Sequence, residues 1–304
     1  MKHLLLIWTL IIAAGCAAAP DVVGDFDEER LPAGIWDVEA GELIEEEQLI
    51  DRLQEARFVI VGESHGTAWH HEVQTTIYEG LSDRRSGEVA LGLEMVEWRF
   101  QEELDAYAAG EIDEESMLAA VGWEKRWGVD AELYAPMWRR ARRESQPVIG
   151  LNARRQLVSK VGEFGLDGVP EEMRQELPDI DRSNDEYREH LRHIFAAHGA
   201  EMDEDSLNRF FEAQLVWDET MAEQAWEFLT GPRGVEQMVI LTGRGHVERG
   251  YGIPSRLERR GADSEDVVSV IAVSTDGDRG AAMEEYRNLE FLRGEEIADY
   301  VWIE

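Results

Sequence analysis

The fold is decided by residues 58–65, which read FVIVGESH. Four consecutive large apolar residues, most of them β-branched, are typical of a strand that is buried on both faces of a sheet. Gly62 then allows the backbone to turn sharply, and the polar residues Glu63 and His65 follow directly. The stretch therefore predicts a buried strand that delivers ionisable side chains to one end of a sheet.

Similar apolar runs recur along the chain and alternate with helical patterns. They occupy residues 89–93, 148–151, 238–241 and 267–273, and residues 300–303 would form a sixth strand at an edge. Strands that alternate with helices favour a parallel sheet. The predicted fold class is α/β, with a mostly parallel central sheet flanked by helices.

Two of the gaps between strands are long, at about 99–145 and 154–234. Both contain apolar residues at helical spacing, and the clearest seam consists of Phe211, Leu215, Ala222, Ala225 and Leu229. We expect these two insertions to form a helical lobe over the carboxyl edge of the sheet, within one domain that spans residues 49–304.

The first residues are typical of an exported lipoprotein. A short basic start precedes an apolar run at 4–14 that is too short to span a membrane as a mature helix. Ala13-Ala14-Gly15-Cys16 resembles a lipobox, and Cys16 is the chain's only cysteine, which excludes an internal disulfide. We therefore predict a signal peptide and lipobox at 1–16 with lipidation at Cys16. An ordinary secretory signal cut near residues 17–19 is the alternative.

A lipid on Cys16 would hold the protein on a membrane through this anchor. We expect an exported protein anchored to the cell envelope, at the outer membrane or the periplasmic face. Residues 17–48 are acidic and punctuated by glycine and proline, so we predict a tether there, with a short helix at about 42–55.

The charge of the chain limits its partners. Its 65 acidic and 30 basic residues give a formal net charge of −35. Nucleic acid is excluded as an expected partner, because phosphate binding requires a basic surface. Lysine occurs only at Lys2, Lys125 and Lys160, and this acidic, lysine-poor composition favours a role of the charge in solvation.

Polar side chains follow four of the predicted strands. In an open parallel sheet the carboxyl ends of the strands share one edge, where ligands bind, so we expect these side chains to lie near one another. A Gly-x-x-His pattern occurs twice, at 62–65 and 243–246, and two copies at equivalent strand ends indicate a functional pocket. The candidates at this edge are Glu63, His65, His70, His71, Glu94, Asn152, Arg244 and His246.

Asp218 is a further candidate, because it lies on the apolar helical seam, where an unpaired carboxylate is costly to bury. Gln214 shares its side of the helix. Asp218 either orients a pocket histidine, as carboxylates do behind ligating histidines, or forms a structural ion pair with an arginine.

A set of short motifs occurs in order over about residues 50–275. They are GESH at 62–65, HH at 70–71 with Gln74, LEM at 93–95, YAP at 134–136, GLN at 150–152, Gln214 with WD at 217–218 and Met221, GRGHV at 243–247, and GIPSR at 252–256. As an ordered set, these motifs resemble the ChaN-like family of haem-binding lipoproteins. The resemblance implies an α/β domain with a helical lobe, haem at the interface of a homodimer, and a role in haem or iron uptake. The superfamily also includes erythromycin-esterase-like hydrolases and Wnt-cleaving metalloproteases.

The first functional hypothesis is therefore haem binding. Haem iron accepts histidine or tyrosine, and arginine can hold the propionates. The resemblance implies a tyrosine as the iron ligand without identifying it. The candidates for the ligand-binding site are His65, His70, His71, Tyr134, Asn152, Arg154, Arg155, Gln214, Asp218, Arg244, His246 and Tyr251.

The second hypothesis is a hydrolase, either an esterase or a protease. Glu63, His65, Glu94 and His246 could hold a divalent metal such as manganese or zinc, or could act as acid and base without one. Neither a Gly-x-Ser-x-Gly elbow nor an HExxH motif is present, which argues against the common serine hydrolases and zincins. A surface interaction module with an inactive pocket is the third possibility.

Overall fold

A computed structural model describes residues 31–85, 87–197, 202–274 and 286–304. Cys16, the predicted leader and the first part of the predicted tether lie outside these residues. Eight strands form one sheet: β1 Gly34–Asp37, β2 Glu42–Ile44, β3 Phe58–Glu63, β4 Val89–Glu97, β5 Val148–Asn152, β6 Gln237–Gly243, β7 Val267–Val273 and β8 Tyr300–Ile303.

The strand order across the sheet is β2-β1-β8-β7-β3-β6-β4-β5. The six strands from β8 to β5 pair in parallel, whereas β1 pairs antiparallel with both β2 and β8. The chain therefore has an α/β fold with a mixed, mostly parallel central sheet, as the apolar runs predict. The strands β3, β6 and β4 are direct neighbours, which brings three of the predicted polar strand ends together.

Two expectations from the sequence are wrong at the edge of this sheet. Strand β8 is not an edge strand, because β1 covers it. Residues 34–37 and 42–44, which the sequence analysis assigned to the tether, are strands, and the helix expected at 42–55 begins only at Glu46. Both strands are too short for a visible periodic pattern, yet Ile35 and Ile44 are buried.

Helices flank the sheet on both faces. The α-helices of the described residues are α1 Glu46–Leu53, α2 Ala68–Arg84, α3 Gln101–Ala108, α4 Glu114–Val121, α5 Trp123–Arg126, α6 Ala135–Glu144, α7 Arg155–Phe164, α8 Glu171–Arg174, α9 Asp185–Ala197, α10 Glu204–Thr230, α11 Ile253–Arg260 and α12 Leu289–Gly294. Short 3₁₀ turns lie between several of them, including Arg244–His246 directly after β6.

Alternating residues of the strands point to two cores. Val59, Val61 and Leu91 pack with residues of α1 to α6, whereas Phe58 and Ile60 pack with residues of α10, α11 and α12. Two smaller apolar clusters join α7, α9 and α10. No helix in the described ranges is both long and apolar enough to cross a bilayer.

Candidate functional site

The polar pocket is built around Glu94, which lies in β4 and is buried. Its Oε2 accepts hydrogen bonds from the backbone N–H of Gly243 at 2.6 Å and from the Thr242 hydroxyl at 2.7 Å, both on the neighbouring strand β6. Its Oε1 faces His65 Nε2 at 3.9 Å and His246 Nε2 at 3.6 Å. We use "polar pocket" for these three side chains and the carboxylates that hold the two imidazoles.

His65 is held by the carboxylate of Glu63, the last residue of β3. Its Nδ1 donates to Glu63 Oε1 at 2.8 Å, and the hydroxyl of Tyr134 donates to the same oxygen at 2.8 Å. The indole of Trp127 lies against the imidazole, with the ring centroids 4.5 Å apart. Burial opposes protonation of His65, but the hydrogen bond and charge of Glu63, helped by Glu94, outweigh it and raise its pKa.

His246 is held in the same way from the opposite side. Its Nδ1 donates to Asp218 Oδ1 at 2.5 Å, and the hydroxyl of Tyr187 donates to Asp218 Oδ2 at 2.9 Å. Gln214 Nε2 lies 3.0 Å from the same ring nitrogen. Burial opposes the charge on His246, but Glu94 and Asp218 outweigh it and raise its pKa to about 10. Asp218 is thus hydrogen-bonded to a pocket histidine, which is the contact that the first of its two predicted roles requires.

The pocket therefore contains two equivalent units, each consisting of a tyrosine, a carboxylate and a histidine. Burial disfavours the charge of Glu94, yet His246 and His65 together lower its pKa to about 2. At neutral pH Glu94 is a carboxylate beside a protonated His246. The Nε2 atoms and Glu94 Oε1 can thus bind a polar group between them and exchange a proton with it.

The arrangement of these side chains does not support a metal site. Among the described residues there is no group of three or more histidine, cysteine, aspartate or glutamate side chains that could hold a metal ion. The predicted manganese or zinc site at Glu63, His65, Glu94 and His246 is therefore unsupported.

His70 and His71 face inward, because both lie on the buried side of α2. His70 Nδ1 accepts the backbone N–H of Ser64 at 2.9 Å, which fixes the turn after β3. His71 Nε2 lies 3.0 Å from Glu63 Oε2, and burial lowers the pKa of this imidazole. Both histidines support the turn and the carboxylate behind His65.

The remaining predicted site residues divide into two groups. Asn152 joins the pocket, since its amide donates to the backbone oxygen of Glu94 at 2.8 Å. The arginines are engaged elsewhere: Arg154 pairs with Glu176 at 2.6 Å, Arg155 donates to Lys125 O at 2.9 Å, and Arg244 lies 3.6 Å from Glu248. Tyr251 is half-buried, and its hydroxyl donates to Glu186 at 3.3 Å.

Three residues that contact the polar pocket were not predicted from the sequence: Thr242, Trp127 and Tyr187. Thr242 is adjacent to the Gly-x-x-His motif and could have been found from its position at the end of a strand. Trp127 and Tyr187 lie in the two long helical insertions, where the pattern indicates which residues are apolar but not which of them reach the sheet.

Comparison with known proteins adds to this geometry. The family model described as "Haem-binding uptake, Tiki superfamily, ChaN" matches residues 49–257. The chain belongs to this family. The resemblance found in the ordered motifs is thereby confirmed. No curated protein matches the chain.

Several solved structures are similar to the chain at low sequence identity, and the first of them shares its fold. ChaN of Campylobacter jejuni, in a structure described as cofacial haem binding, has 21% identity and a TM-score of 0.67, covering 88% of this chain and 94% of its own. The erythromycin esterase EreC has 13% identity and a TM-score of 0.46, with 80% and 76% covered. A MARTX toxin effector domain from Vibrio vulnificus has 16% identity and a TM-score of 0.42, with 77% and 36% covered.

The raised pKa of His246 predicts a pH dependence of stability. The folded pKa of about 10 lies above that of an unfolded histidine, about 6.5. The ion pairs of His246 therefore contribute fully below pH 6.5, and their contribution is lost as the pH rises toward 10. We expect the free energy of unfolding of His246→Gln to fall less over this range than that of the unchanged protein, in urea titrations followed by circular dichroism.

The matched control is His193→Gln, because His193 is an exposed histidine on α9. This variant should follow the unchanged protein at every pH. An equal slope for His246→Gln and the unchanged protein would show that His246 is not charged in the fold.

Proposed function

We propose that this protein binds haem at the cell envelope and takes part in haem or iron uptake. Membership of the haem-binding ChaN family supports the class of ligand. The observation that carries the proposal within the chain is the half-buried phenol of Tyr251, which can meet a ligand without disruption of the core.

The two candidate tyrosines differ in their availability to iron. Tyr134 is fully buried, its hydroxyl donates to Glu63, and burial together with that carboxylate raises its pKa well above 10. Ligation through Tyr134 would therefore require a buried donor to be removed from a buried carboxylate, at a cost of about 1–3 kcal/mol. Tyr251 is half-buried, and its hydroxyl donates over a long 3.3 Å to Glu186 and makes a side-chain hydrogen bond with Arg249, both nearer the surface than the bond of Tyr134. We assign the iron to Tyr251, and "Tyr251 face" denotes Tyr251 and Glu186.

The polar pocket is less suited to a haem group. Three carboxylates, those of Glu63, Glu94 and Asp218, converge on two imidazoles, and haem is itself an anion through its propionates. The arginines expected to hold those propionates, Arg154 and Arg244, already lie beside Glu176 and Glu248. Propionate binding by either would have to compete with an existing carboxylate.

The remaining parts of the proposal concern assembly and location. ChaN of Campylobacter jejuni is described with cofacial haem binding, and we propose that a second copy of this chain completes the haem site in the same sense. We further propose lipidation at Cys16, anchoring at the outer membrane or the periplasmic face, and a lobe formed by the insertions at 99–145 and 154–234 over the carboxyl edge of the sheet.

Haem binding is tested by titration of the purified protein with haemin, followed by visible absorption. We expect a saturable Soret shift. Tyr251→Phe should weaken binding at least about tenfold, equivalent to ~1.4 kcal/mol, because it removes the oxygen that ligates iron. Tyr134→Phe is the matched control and should bind as the unchanged protein does. If Tyr251→Phe binds haemin as the unchanged protein does while Tyr134→Phe binds it more weakly, the iron ligand is Tyr134 and the assignment is reversed. If the unchanged protein shows no Soret shift, haem binding is refuted.

The anchor is tested in cells. We expect the unchanged protein to sediment with membranes and Cys16→Ser to be recovered in the soluble exported fraction, because the variant lacks the thiol that carries the lipid. Ala17→Ser is a control of similar position and should remain with membranes. Membrane association of Cys16→Ser equal to that of the unchanged protein would refute lipidation at Cys16.

A second candidate function is hydrolysis, and the convergence of two imidazole Nε2 atoms on Glu94 Oε1 favours it. His65 and His246 could share proton transfer to and from a substrate between them. Turnover of nitrophenyl esters by the purified protein, reduced at least about a hundredfold in His65→Asn, would support this function. If the unchanged protein hydrolyses these esters no faster than buffer does, simple esters are excluded as substrates.

A further inference from the structure

Tyr187 lies between the polar pocket and the Tyr251 face and contacts both. We propose that Tyr187 links them, so that a ligand bound at Tyr251 alters the hydrogen bond between His246 and Asp218. The proposal rests on the assignment of haem to Tyr251, and it adds a means by which occupation of the surface changes the buried pocket.

On the pocket side, Tyr187 acts through Asp218. Tyr187 is 1% exposed and Asp218 is 0% exposed, so water does not compete for the hydrogen bond between them. In the described part of the chain, the hydrogen bonds to the Asp218 carboxylate come from Tyr187 and His246. Because both donors bind the same carboxylate, a weaker hydrogen bond from Tyr187 strengthens the attraction of Asp218 for His246.

On the surface side, Tyr187 is in contact with Tyr251 itself. The two ring centroids are 5.6 Å apart with the planes tilted by 41°. The guanidinium of Arg256 lies 5.6 Å from the centre of the Tyr187 ring, and it also donates to the backbone oxygen of Tyr251. A change in the position of Tyr251 therefore reaches the Tyr187 ring through two contacts.

Iron binding would also remove a contact of the residue that precedes Tyr187. A phenolate bound to iron has no proton to donate, so the hydrogen bond from Tyr251 to Glu186 is lost on ligation. Glu186 precedes Tyr187 on α9. The bond that is broken thus lies one residue away from the tyrosine that donates to Asp218.

The response of His246 depends on all the groups that face it. These are Glu94 from β4, Asp218 and Gln214 from α10, and His65 from the turn after β3. Haem at the Tyr251 face touches none of these directly in our assignment, so an effect on His246 passes through Tyr187. The Tyr187 hydroxyl donates to Asp218 Oδ2 at 2.9 Å and lies 3.4 Å from the backbone oxygen of Gly245, the residue before His246. By thermodynamic linkage, a change in the hydrogen bond between His246 and Asp218 must in turn alter haem affinity.

The test uses the proton between His246 Nδ1 and Asp218, which should resonate far downfield because the bond is short and charge-assisted. Proton spectra are recorded with and without gallium protoporphyrin, a diamagnetic analogue of ferric haem, and the Nδ1 shift of histidine labelled with ¹⁵N provides a second readout. The resonance is assigned by its loss in Asp218→Asn. We expect it to move when the porphyrin binds.

Tyr187→Phe keeps the ring and removes the hydroxyl, so porphyrin should still bind while the His246 resonance no longer responds. Tyr78→Phe is the matched control: its hydroxyl donates to Gln146 within the core, and its response should equal that of the unchanged protein. Tyr251→Phe leaves Tyr187 in place and should also abolish the shift of the His246 resonance at saturating porphyrin. This variant replaces Tyr187→Phe in the test if Tyr187→Phe does not fold.

The outcomes separate the two proposals. If porphyrin does not bind, the haem function and the link both fail. If porphyrin binds but the His246 resonance does not move, only the link is overturned. The link is also overturned if the resonance moves in Tyr187→Phe or Tyr251→Phe as far as it does in the unchanged protein.

Discussion

The buried carboxylate of Glu94 is the constraint on which the arrangement of the site depends. A charge in a protein interior has to be compensated by hydrogen bonds or opposite charge, and Glu94 receives both, from the end of β6 and from two imidazoles. Those imidazoles require partners of their own, which Glu63 and Asp218 provide. Satisfying one carboxylate thereby fixes the ends of three neighbouring strands and the long helix α10.

Much of this could be predicted from the sequence, because one rule connects the chain to the site. Apolar runs identify buried strands, and the carboxyl ends of parallel strands share an edge, so Glu63, His65, Glu94 and His246 were expected together. The rule does not extend to residues that arrive from helices. Tyr187 and Trp127 reach the pocket through the packing of helices from the two long segments between strands. Tyr134, one of the candidate ligands, is a buried donor to Glu63.

The same limit explains the errors at the edge of the sheet. Strands β1 and β2 have four and three residues, which is too short for a period of two to be distinguished from chance. Their burial depends on β8, more than 250 residues later in the chain, and local sequence carries no information about such a partner. The central strands can thus be predicted from long apolar runs, whereas the strands at the edge of the sheet depend on pairing with distant residues.

That distant pairing has a consequence for the order of folding. Since β1 hydrogen-bonds to β8, the hairpin of β1 and β2 cannot join the sheet until residues 300–303 have been synthesised. Contacts between such remote segments form late and slow the search for the native state. A chain that emerges with its amino terminus first would therefore keep the β7 side of its sheet open until its last strand is available.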